Sequence, residues 1–383
     1  MITFFTIFFA IYGAANYYIG LRIWQALSTF TNQSLIYWMV VLILASSQIL
    51  GRMGSRHFPG WLSDAFTLIG AYWMAAVYYL FALFAFWDLL RLFGKLSGLL
   101  SANSKLQTSP IPALIIVSLV GIALIYGSLN ARNPHIKSYD ITIEKNAGNL
   151  HELHAVMVAD IHLGSIVDNS RLEGMVNVVN SLNPDIVFFA GDTIDENVDY
   201  FAEKNMPATL QRLKPRLGMF AVLGNHEYLG GNADQAVFHM QEAGVTVLRD
   251  QYVSIGNSLY IVGRDDKTRE RFGQGPRQDL ATIMTGINRS LPIILLDHQP
   301  YHLQEAQRNG IDLQLSGHTH HGQFFPNNLI TQRIFEIDWG YLKKNSYHAI
   351  VSCGFGTWGP PIRIGSKPEL IDIRIRFVPP PVQ

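Results

Sequence analysis

Residues 154–164 read HAVMVADIHLG, a short apolar run that leads into an acidic residue and a histidine. Residues 154–159 have the length and composition of a buried β-strand, and Asp160 and His162 follow it directly. Similar apolar runs recur at residues 186–190, 219–223, 245–248, 259–262, 292–296, 313–315, 347–351 and 370–377, and segments with helical spacing lie at 168–182 and 233–242. Strands that alternate with helices in this way predict a layered α/β domain.

Side chains that suit metal binding follow five of the predicted strands. Besides Asp160 and His162, these are Asp192, Asn225, His226, His298, His318 and His320. Because the carboxyl ends of strands in an α/β sheet border one crevice, we expect these groups to converge. Each motif alone is a weak signal, since an Asp-x-His pair or a Gly-Asp turn is more often a simple turn. Five of them in order, each at a strand end, argue against coincidence.

The chemistry of these donors indicates the kind of ion they would hold. The candidate side chains offer oxygen and imidazole nitrogen, and Cys353 is the only cysteine in the chain. Such donors suit Mn, Zn, Fe or Mg rather than an iron–sulfur or thiolate site. The single cysteine also excludes a disulfide scaffold.

The first 131 residues have a different composition from the rest of the chain. They carry six basic and two acidic side chains, out of 29 basic and 29 acidic in all 383 residues. Four apolar stretches, at residues 1–21, 35–50, 65–87 and 111–129, contain no charged side chain. A membrane-spanning helix needs about 20 mostly apolar residues. We therefore expect an N-terminal all-α membrane bundle of four transmembrane helices, rather than buried helices of a soluble core.

These two compositions predict the domain organisation. We expect a transmembrane domain over residues 1–131, a linker over 132–147 and the α/β domain over 148–383. The loops between the apolar stretches carry nearly equal numbers of basic residues on either side, so membrane orientation stays open. The chain has no net charge, and its second part is formally negative, so we expect no nucleic-acid partner.

The predicted C-terminal domain resembles the calcineurin-like metallophosphoesterases. It contains all five sequence blocks of that superfamily, and GHTHHGQ (317–323) and GTWGPPIR (356–363) are similar to its YkuE-type branch. That branch includes multi-pass proteins called transmembrane proteins with metallophosphoesterase domain. Two residues depart from the branch: His321 stands where Gly is usual, and Asp297 where Ser is usual. Neither departure removes an expected ligand.

The resemblance implies an α/β/β/α layered sandwich that binds two divalent metal ions and hydrolyses phosphoric esters as a phosphatase, phosphodiesterase or pyrophosphatase. One ion would be held by Asp160, His162, Asp192 and His320, and the other by Asp192, Asn225, His298 and His318. Asp192 would bridge the two ions. His226 matches the family's histidine beside the phosphate, a general acid or transition-state stabiliser.

The membrane segment suggests a substrate and a location. We expect an integral, multi-pass protein of a bacterial inner or plasma membrane that contacts membrane lipids and acts on a phosphorylated small molecule or lipid. A lipid-linked phosphate or pyrophosphate is the leading hypothesis. One alternative is an enzyme that cleaves UDP-2,3-diacylglucosamine, as some members of the wider family do. A second is a catalytically silent membrane sensor or scaffold, and a third is a nuclease, which the negative charge disfavours.

Several other side chains have two interpretations each. Arg363 either contacts substrate phosphate or is solvated or salt-bridged, and His321 either donates to a ligand or is an ordinary loop residue. Trp358 either forms an apolar wall or packs in the core. Asp195, Glu196 and Glu227 either orient histidines or face water.

Overall fold

The computed structural model describes residues 2–54, 57–99, 109–195 and 197–379, with side chains described from residue 6 onwards. The chain forms two compact units. One comprises Met1–Leu129 with Gly359–Ile362, and the other Asn130–Trp358 with Arg363–Gln383. The prediction for Glu196 falls outside the described residues.

The first unit is helical. Its helices are α1 (Ile2–Leu27), α2 (Ser34–Gly54), α3 (Gly60–Leu96) and α4 (Ile111–Ala131). Among the described residues, α2, α3 and α4 are long and apolar enough to cross a membrane. The predicted stretch 1–21 lies in α1, which is not one of those three, so a bundle of four spans stays a prediction. Helix α3 has 37 residues and extends beyond the predicted stretch 65–87 at both ends.

Small residues and a polar pair hold these helices together. A Cβ atom on Gly70 would collide with the backbone of Gln48, so α2 and α3 pack closely only because this residue is glycine. Between α1 and α3, the Trp73 indole donates a hydrogen bond of 2.8 Å to Asn16 Oδ1. The helices of this unit therefore contact one another through small-residue packing and interhelical hydrogen bonds, as membrane helices commonly do.

The second unit contains two six-stranded sheets. Its strands are β1 (His135–Ile143), β2 (Glu152–Val158), β3 (Ile186–Ala190), β4 (Met219–Val222), β5 (Val245–Val247), β6 (Gln251–Ile255), β7 (Leu259–Gly263), β8 (Ile293–Leu296), β9 (Leu313–Ser316), β10 (Gly340–Lys344), β11 (Tyr347–Val351) and β12 (Glu369–Phe377). The strand order is β1-β12-β2-β3-β4-β5 in the first sheet and β10-β11-β9-β8-β7-β6 in the second. Both sheets are mixed, with parallel pairs around β3 and β8.

Eight helices accompany these strands in the described part of the second unit. They are α5 (Asn169–Leu182), α6 (Val198–Glu203), α7 (Met206–Leu210), α8 (Asn225–Leu229), α9 (Ala233–Glu242), α10 (Leu280–Ile283), α11 (Leu303–Arg308) and α12 (Asn328–Ile334). Asp168 begins α5 by accepting a hydrogen bond from Arg171 N, and Asn183 ends it in the left-handed region at φ 52°. Pro184 cannot continue the helix, so the chain turns into β3.

Three apolar layers fix how the sheets and helices stack. Phe188, Leu315 and Ile373 pack between the two sheets. On the outer face of the first sheet, Phe189 packs with residues of α5 and α9. Residues of α10 and α11 cover the outer face of the second sheet. The order is therefore helix, sheet, sheet, helix. Both faces of β3 are buried, which explains its uninterrupted apolar sequence.

Most predicted elements of this unit are confirmed, but three strands were not predicted. These are β1, β6 and β10, and each lies at the edge of its sheet. Residues 132–147 were expected as a linker, yet they contain β1, which pairs in parallel with β12 over nine residues. Only Ile141 and Ile143 of β1 are buried, so this strand lacks the continuous apolar run that reveals a central strand.

Candidate metal centre

The loops that follow β2, β3 and β9 are joined to one another by hydrogen bonds of their main-chain N–H groups. Asp160 N donates to Gly191 O at 3.1 Å, and His162 N donates to Asp192 O at 3.0 Å. Across the two sheets, His318 N donates to the Asp160 carboxylate at 2.8 Å. The predicted site residues of these loops therefore lie at one end of the layered unit.

A first group of possible ligands comes from the loops after β2 and β9. One donor atom each from Asp160, His162 and His320 lies within 4.8 Å of the other two. The Nε2 atoms of His162 and His320 are 3.0 Å apart, and His320 Nε2 is 3.6 Å from Asp160 Oδ1. All three residues are buried. These are three of the four side chains that we predicted around one ion.

A second group comes from the loops after β3, β8 and β9. Donor atoms of Asp192, His298 and His318 also lie within 4.8 Å of one another. His298 Nδ1 bonds to Ala190 O at 2.8 Å, so in the neutral ring Nε2 carries the lone pair. That Nε2 atom lies 3.2 Å from Asp192 Oδ2. The backbone contact thus presents to Asp192 the ring nitrogen that can bind a metal.

Asp192 lies between the two groups. Its Oδ2 atom is 3.9 Å from His162 Nε2 and 3.2 Å from His298 Nε2, while Oδ1 accepts a hydrogen bond of 2.8 Å from His226 N. Asn225 immediately precedes His226 and begins α8. The structure thus brings Asp192 beside both groups, and the bridging role that the resemblance implies for it stays a prediction.

The unpaired polar atoms of this region fit metal ions. His162 Nδ1, Asn225 Oδ1 and His298 Nε2 are buried and have no hydrogen-bond partner within the described residues. A buried polar atom without a partner costs about 1–3 kcal/mol, so such atoms are rare in native proteins. Three of them on predicted ligands, together with two carboxylates, form an oxygen and nitrogen donor set suited to divalent ions.

The backbone at the site is unusual for the residues that occupy it. Five of the seven predicted metal ligands have φ values between 48° and 73°, in the left-handed region; they are Asp160, His162, Asp192, His318 and His320. This conformation is uncommon for residues other than glycine and costs of order 1–3 kcal/mol each. Its concentration here indicates that the surrounding sheets impose the geometry of the site.

Three glycines make room for the acidic and imidazole side chains. A Cβ atom on Gly191 would collide with the His298 ring, on Gly224 with the Asp192 carboxylate, and on Gly317 with the Asp160 carboxylate. Each of these glycines directly precedes a predicted ligand. The Gly-Asp, Gly-Asn and Gly-His pairs of the sequence therefore have a steric cause.

His226 is held by a carboxylate that was one of the ambiguous residues. Its Nδ1 atom bonds to Asp195 Oδ1 at 2.9 Å, and its ring lies 4.5 Å from that of His162. Burial raises the pKa of Asp195, but favourable interactions with the imidazoles of His162 and His226 outweigh it, and the pKa falls well below the usual range. Asp195 therefore orients a histidine rather than only facing water.

Glu227 also supports the site. It is buried and accepts hydrogen bonds from Gly224 N at 2.8 Å and from Ile194 N at 3.0 Å, which ties the loop after β3 to the loop after β4. Burial, followed by the nearby Asp192 charge, raises the pKa of Glu227 to about 7.

Arg363 is not solvated. Its side chain is fully buried and donates to the carbonyl oxygens of Cys353 and Gly356, each at 2.7 Å, and a contact with substrate phosphate stays a prediction. No salt bridge to Arg363 occurs within the described part of the chain. Its Nη2 atom also lies 3.3 Å from His320 Nδ1. Arg363 therefore holds the loop after β11 against a predicted ligand.

The two departures from the family pattern have structural partners. His321 Nδ1 bonds to Asp338 Oδ2 at 2.9 Å, and Asp297 pairs with Arg277 at 3.0 Å and Arg264 at 3.4 Å. The side chain of Trp358 is exposed and its ring lies 6.2 Å from that of His226, so Trp358 borders the site instead of packing in the core.

One further strand end was missed. Asp265 and Asp266 follow β7, the neighbour of β8, and both are buried. Asp266 accepts from Gln299 Nε2 at 2.8 Å, next in sequence to His298. The rule that identified the other strand ends would also have identified this Asp-Asp pair after residues 259–262.

Comparisons with known proteins agree with this geometry. Residues 153–322 match the family model described as calcineurin-like phosphoesterase. The chain is 31% identical over 357 residues to a "Transmembrane protein with metallophosphoesterase domain" of Danio rerio, covering 88% of this chain and 80% of that protein. It is 36% identical to an "Uncharacterized metallophosphoesterase" of Aquifex aeolicus, over 67% of this chain and 98% of that protein. A metallophosphoesterase of Campylobacter jejuni is 31% identical over 96% of both chains.

Proposed function

We propose that this protein is a membrane-anchored phosphoesterase with a two-metal site. The premise is that the chain belongs to the calcineurin-like metallophosphoesterase family. The family implies a metal-dependent phosphoester hydrolase, and the apolar helices indicate a membrane protein. The observation that carries the two-metal proposal is the position of Asp192, which lies within 4 Å of histidines from both candidate groups.

The two groups divide the predicted ligands between two ions. One ion would be held by Asp160, His162 and His320, and the other by Asn225, His298 and His318. Asp192 would bind both ions. When bound, two divalent ions would lower the pKa of a water molecule toward neutrality and neutralise the charge of a phosphate. The metal identity among Mn, Zn, Fe and Mg stays open, because oxygen and imidazole ligands suit all four.

The protein's own residues supply the proton chemistry and the orientation. Asp195 holds His226 through Nδ1, so Nε2 is the nitrogen that would give a proton to the leaving oxygen or stabilise the charged phosphate. Because the pKa of Asp195 lies well below the usual range, its carboxylate stays ionised and places a negative charge directly beside the His226 ring.

The membrane segment supports a substrate that resides in or at the bilayer. We propose a lipid-linked phosphate ester or pyrophosphate, with an enzyme of the UDP-2,3-diacylglucosamine pyrophosphatase type as the narrower alternative. We further propose four membrane-spanning helices, a bacterial inner or plasma membrane location, contact with membrane lipids and no nucleic-acid partner. The charge distribution of the sequence supports the last of these.

The test is metal reconstitution of the full chain in detergent or nanodiscs. After metal removal, Mn, Zn, Fe and Mg would be added back singly, and hydrolysis of soluble phosphodiesters, phosphomonoesters and lipid pyrophosphates would be measured. We expect metal-dependent hydrolysis that Asp192→Asn abolishes and that Asp199→Asn, on the surface helix α6, retains. Metal binding without hydrolysis of any substrate would instead favour the silent sensor or scaffold.

A further inference from the structure

An exposed apolar helix follows the candidate metal loop. The short helix α12 has no buried residue. Phe325, Leu329, Ile330 and Ile334 are large apolar side chains that are 51%, 51%, 56% and 58% exposed, respectively. Soluble proteins rarely leave such a concentration of apolar side chains in water unless a partner or a membrane covers it.

A side-chain hydrogen bond of Thr331 shows which side of α12 faces the rest of the second unit. Thr331 Oγ1 donates to Asp338 Oδ2 at 2.6 Å, and the same oxygen is 2.9 Å from His321 Nδ1. The Thr331 side of the helix therefore faces the loop that contains His320, which leaves Ile330 and Ile334 directed outward. A Cβ atom on Gly322 would collide with the backbone of Asn328, so the metal loop and the start of α12 are in close contact.

The apolar surface continues to the edge of the candidate metal centre. Trp358 N donates to Gln323 Oε1 at 2.8 Å, and Gln323 Nε2 donates to Trp358 O at 2.9 Å. Trp358 is 55% exposed, and its ring lies 6.2 Å from that of His226. We call Phe325, Leu329, Ile330, Ile334 and Trp358 the apolar rim.

A chain of hydrogen bonds joins the apolar rim to Asn130, the first residue of the second unit. Asn130 Nδ2 donates to Arg363 O at 2.9 Å and to Ser366 O at 2.8 Å. Phe325 N donates to Ile364 O at 2.7 Å, and Ser366 Oγ donates to Gln323 O at 3.3 Å. Only residues 363–366 thus lie between Asn130, at the end of an apolar helix long enough to cross a membrane, and Phe325.

The charges around this region fit a membrane surface. Arg132 directly follows α4, Arg333 lies within α12, Lys367 follows Ser366, and all three are exposed. Helices that lie in the interface between headgroups and acyl chains combine exposed apolar side chains with neighbouring cations that meet lipid phosphates.

We propose that the apolar rim is a membrane-docking surface, whose side chains enter the interfacial layer of the phospholipid bilayer. The metal centre would then open at the level of the lipid headgroups. The docking is inferred from the contacts, exposure and charges of the apolar rim alone. Its consequence for lipid substrates rests on the function proposed above.

Site-specific fluorescence of the full chain in nanodiscs tests the docking without any activity measurement. The only native cysteine, Cys353, is buried, so an introduced cysteine can be labelled selectively. A polarity-sensitive dye would be placed at Ile330→Cys or Ile334→Cys. The matched control is Phe238→Cys, because Phe238 is a 55% exposed apolar residue on α9. Unsubstituted protein measures any labelling of Cys353.

We expect blue-shifted emission at positions 330 and 334 and quenching by lipids brominated in the acyl chain, whereas position 238 behaves as in water. The proposal is wrong if positions 330 and 334 are not quenched. A blue shift without quenching would also overturn it, because a second copy of the chain or another protein would then cover the surface.

A second measurement tests the consequence for lipid substrates. In Ile330→Ser/Ile334→Ser, we expect the ratio of lipid-substrate to soluble-substrate hydrolysis to fall at least about fivefold. The reason is that two apolar side chains that would enter the bilayer are then lost. Phe238→Ser should leave this ratio near that of the wild type. An unchanged ratio together with bromolipid quenching would retain the docking and contradict its role in substrate access. Inactivity of all variants would instead contradict the function proposed above.

Discussion

The Nε2 atoms of His162 and His320 lie 3.0 Å apart, although 158 residues separate them in sequence. Two imidazoles at this distance either share one proton or share one cation. A carboxylate oxygen of Asp160 lies 3.6 Å from His320 Nε2, which favours a cation between the three side chains. The pair thereby links the loop after β2 to the loop after β9.

Removal of metal should destabilise the folded chain, because the cation binds the assembled groups and not the unfolded polypeptide. At a free concentration one hundred times its dissociation constant, a bound ion adds about 2.7 kcal/mol to stability. We expect chelation to lower the thermal unfolding midpoint and metal to restore it. His320→Ala should weaken this response, because it removes a ligand of one of the two proposed ions, whereas His239→Ala on α9 should keep the full response. If chelation leaves the thermal unfolding midpoint of the wild type unchanged, the prediction is wrong.

Asp195→Asn should separate the orientation of His226 from metal binding. The amide carries no negative charge to hold the His226 ring, so we expect kcat to fall about 10–100-fold, which is at or below the lower end of the roughly 10²–10⁴-fold that general acid–base assistance contributes. Metal content should change little, because Asp195 is not one of the predicted ligands. Steady-state kinetics combined with elemental analysis tests this. Loss of both ions from Asp195→Asn would identify the carboxylate as a ligand instead.

Gly224→Ala should damage the site through sterics alone. Its new Cβ atom would collide with the Asp192 carboxylate, and overpacking of this kind typically costs about 1–3 kcal/mol. Gly174→Ala is the matched control, since Gly174 lies within α5 and a Cβ there meets no atom within 4 Å. We expect the control to be as stable as the wild type or more so by about 0.5–1 kcal/mol. Chemical denaturation and metal content measure both, and equal stability of the two variants would refute the steric account.

Asp185 should contribute a small pH-dependent stability remote from the metal ligands. Partial burial raises its pKa, but hydrogen bonds from His154 N and Arg216 outweigh burial and lower it. A carboxylate with a lowered folded-state pKa stabilises the protein above its unfolded-state pKa of about 3.9, and this stability is lost as the pH falls through the folded-state pKa. Because the carboxylate is partly exposed and therefore screened by solvent, we expect less than about 1 kcal/mol.

The prediction is tested by measuring the free energy of unfolding of the wild type and of Asp185→Asn from pH 7 to about pH 2. The advantage of the wild type over Asp185→Asn should be present near neutral pH and shrink toward the acidic end. A constant or growing difference would contradict the assignment.

The sequence predicts the central strands and the convergence of the candidate ligands better than it predicts the edge strands and the contacts that support the site. β3 has the apolar sequence IVFFA because both of its faces are covered, so it was recognisable without the structure. β1, β6 and β10 face solvent at the sheet edges and are therefore too polar to stand out. The ligands follow central strands directly, which is why their convergence was predictable.

The supporting contacts depend on distant partners. Arg363 bonds to the main-chain oxygens of Cys353, Gly354 and Gly356, and backbone carbonyls leave no trace in a residue pattern. The contact between His226 and Asp195 joins the loops after β4 and β3, and sequence alone left the role of Asp195 undecided. Exposure of α12 likewise depends on what the rest of the chain leaves uncovered.

Only residues 132–134 separate the end of α4 from the start of β1. At about 3.3–3.6 Å per extended residue, this connection reaches little more than 10 Å. If α4 spans the membrane as proposed, a phosphoesterase domain on so short a tether is confined to two dimensions. The effective concentration of the proposed lipid-linked substrate would then be its mole fraction within the membrane, so diluting it with inert lipid should slow turnover even when the total amount in the sample is constant.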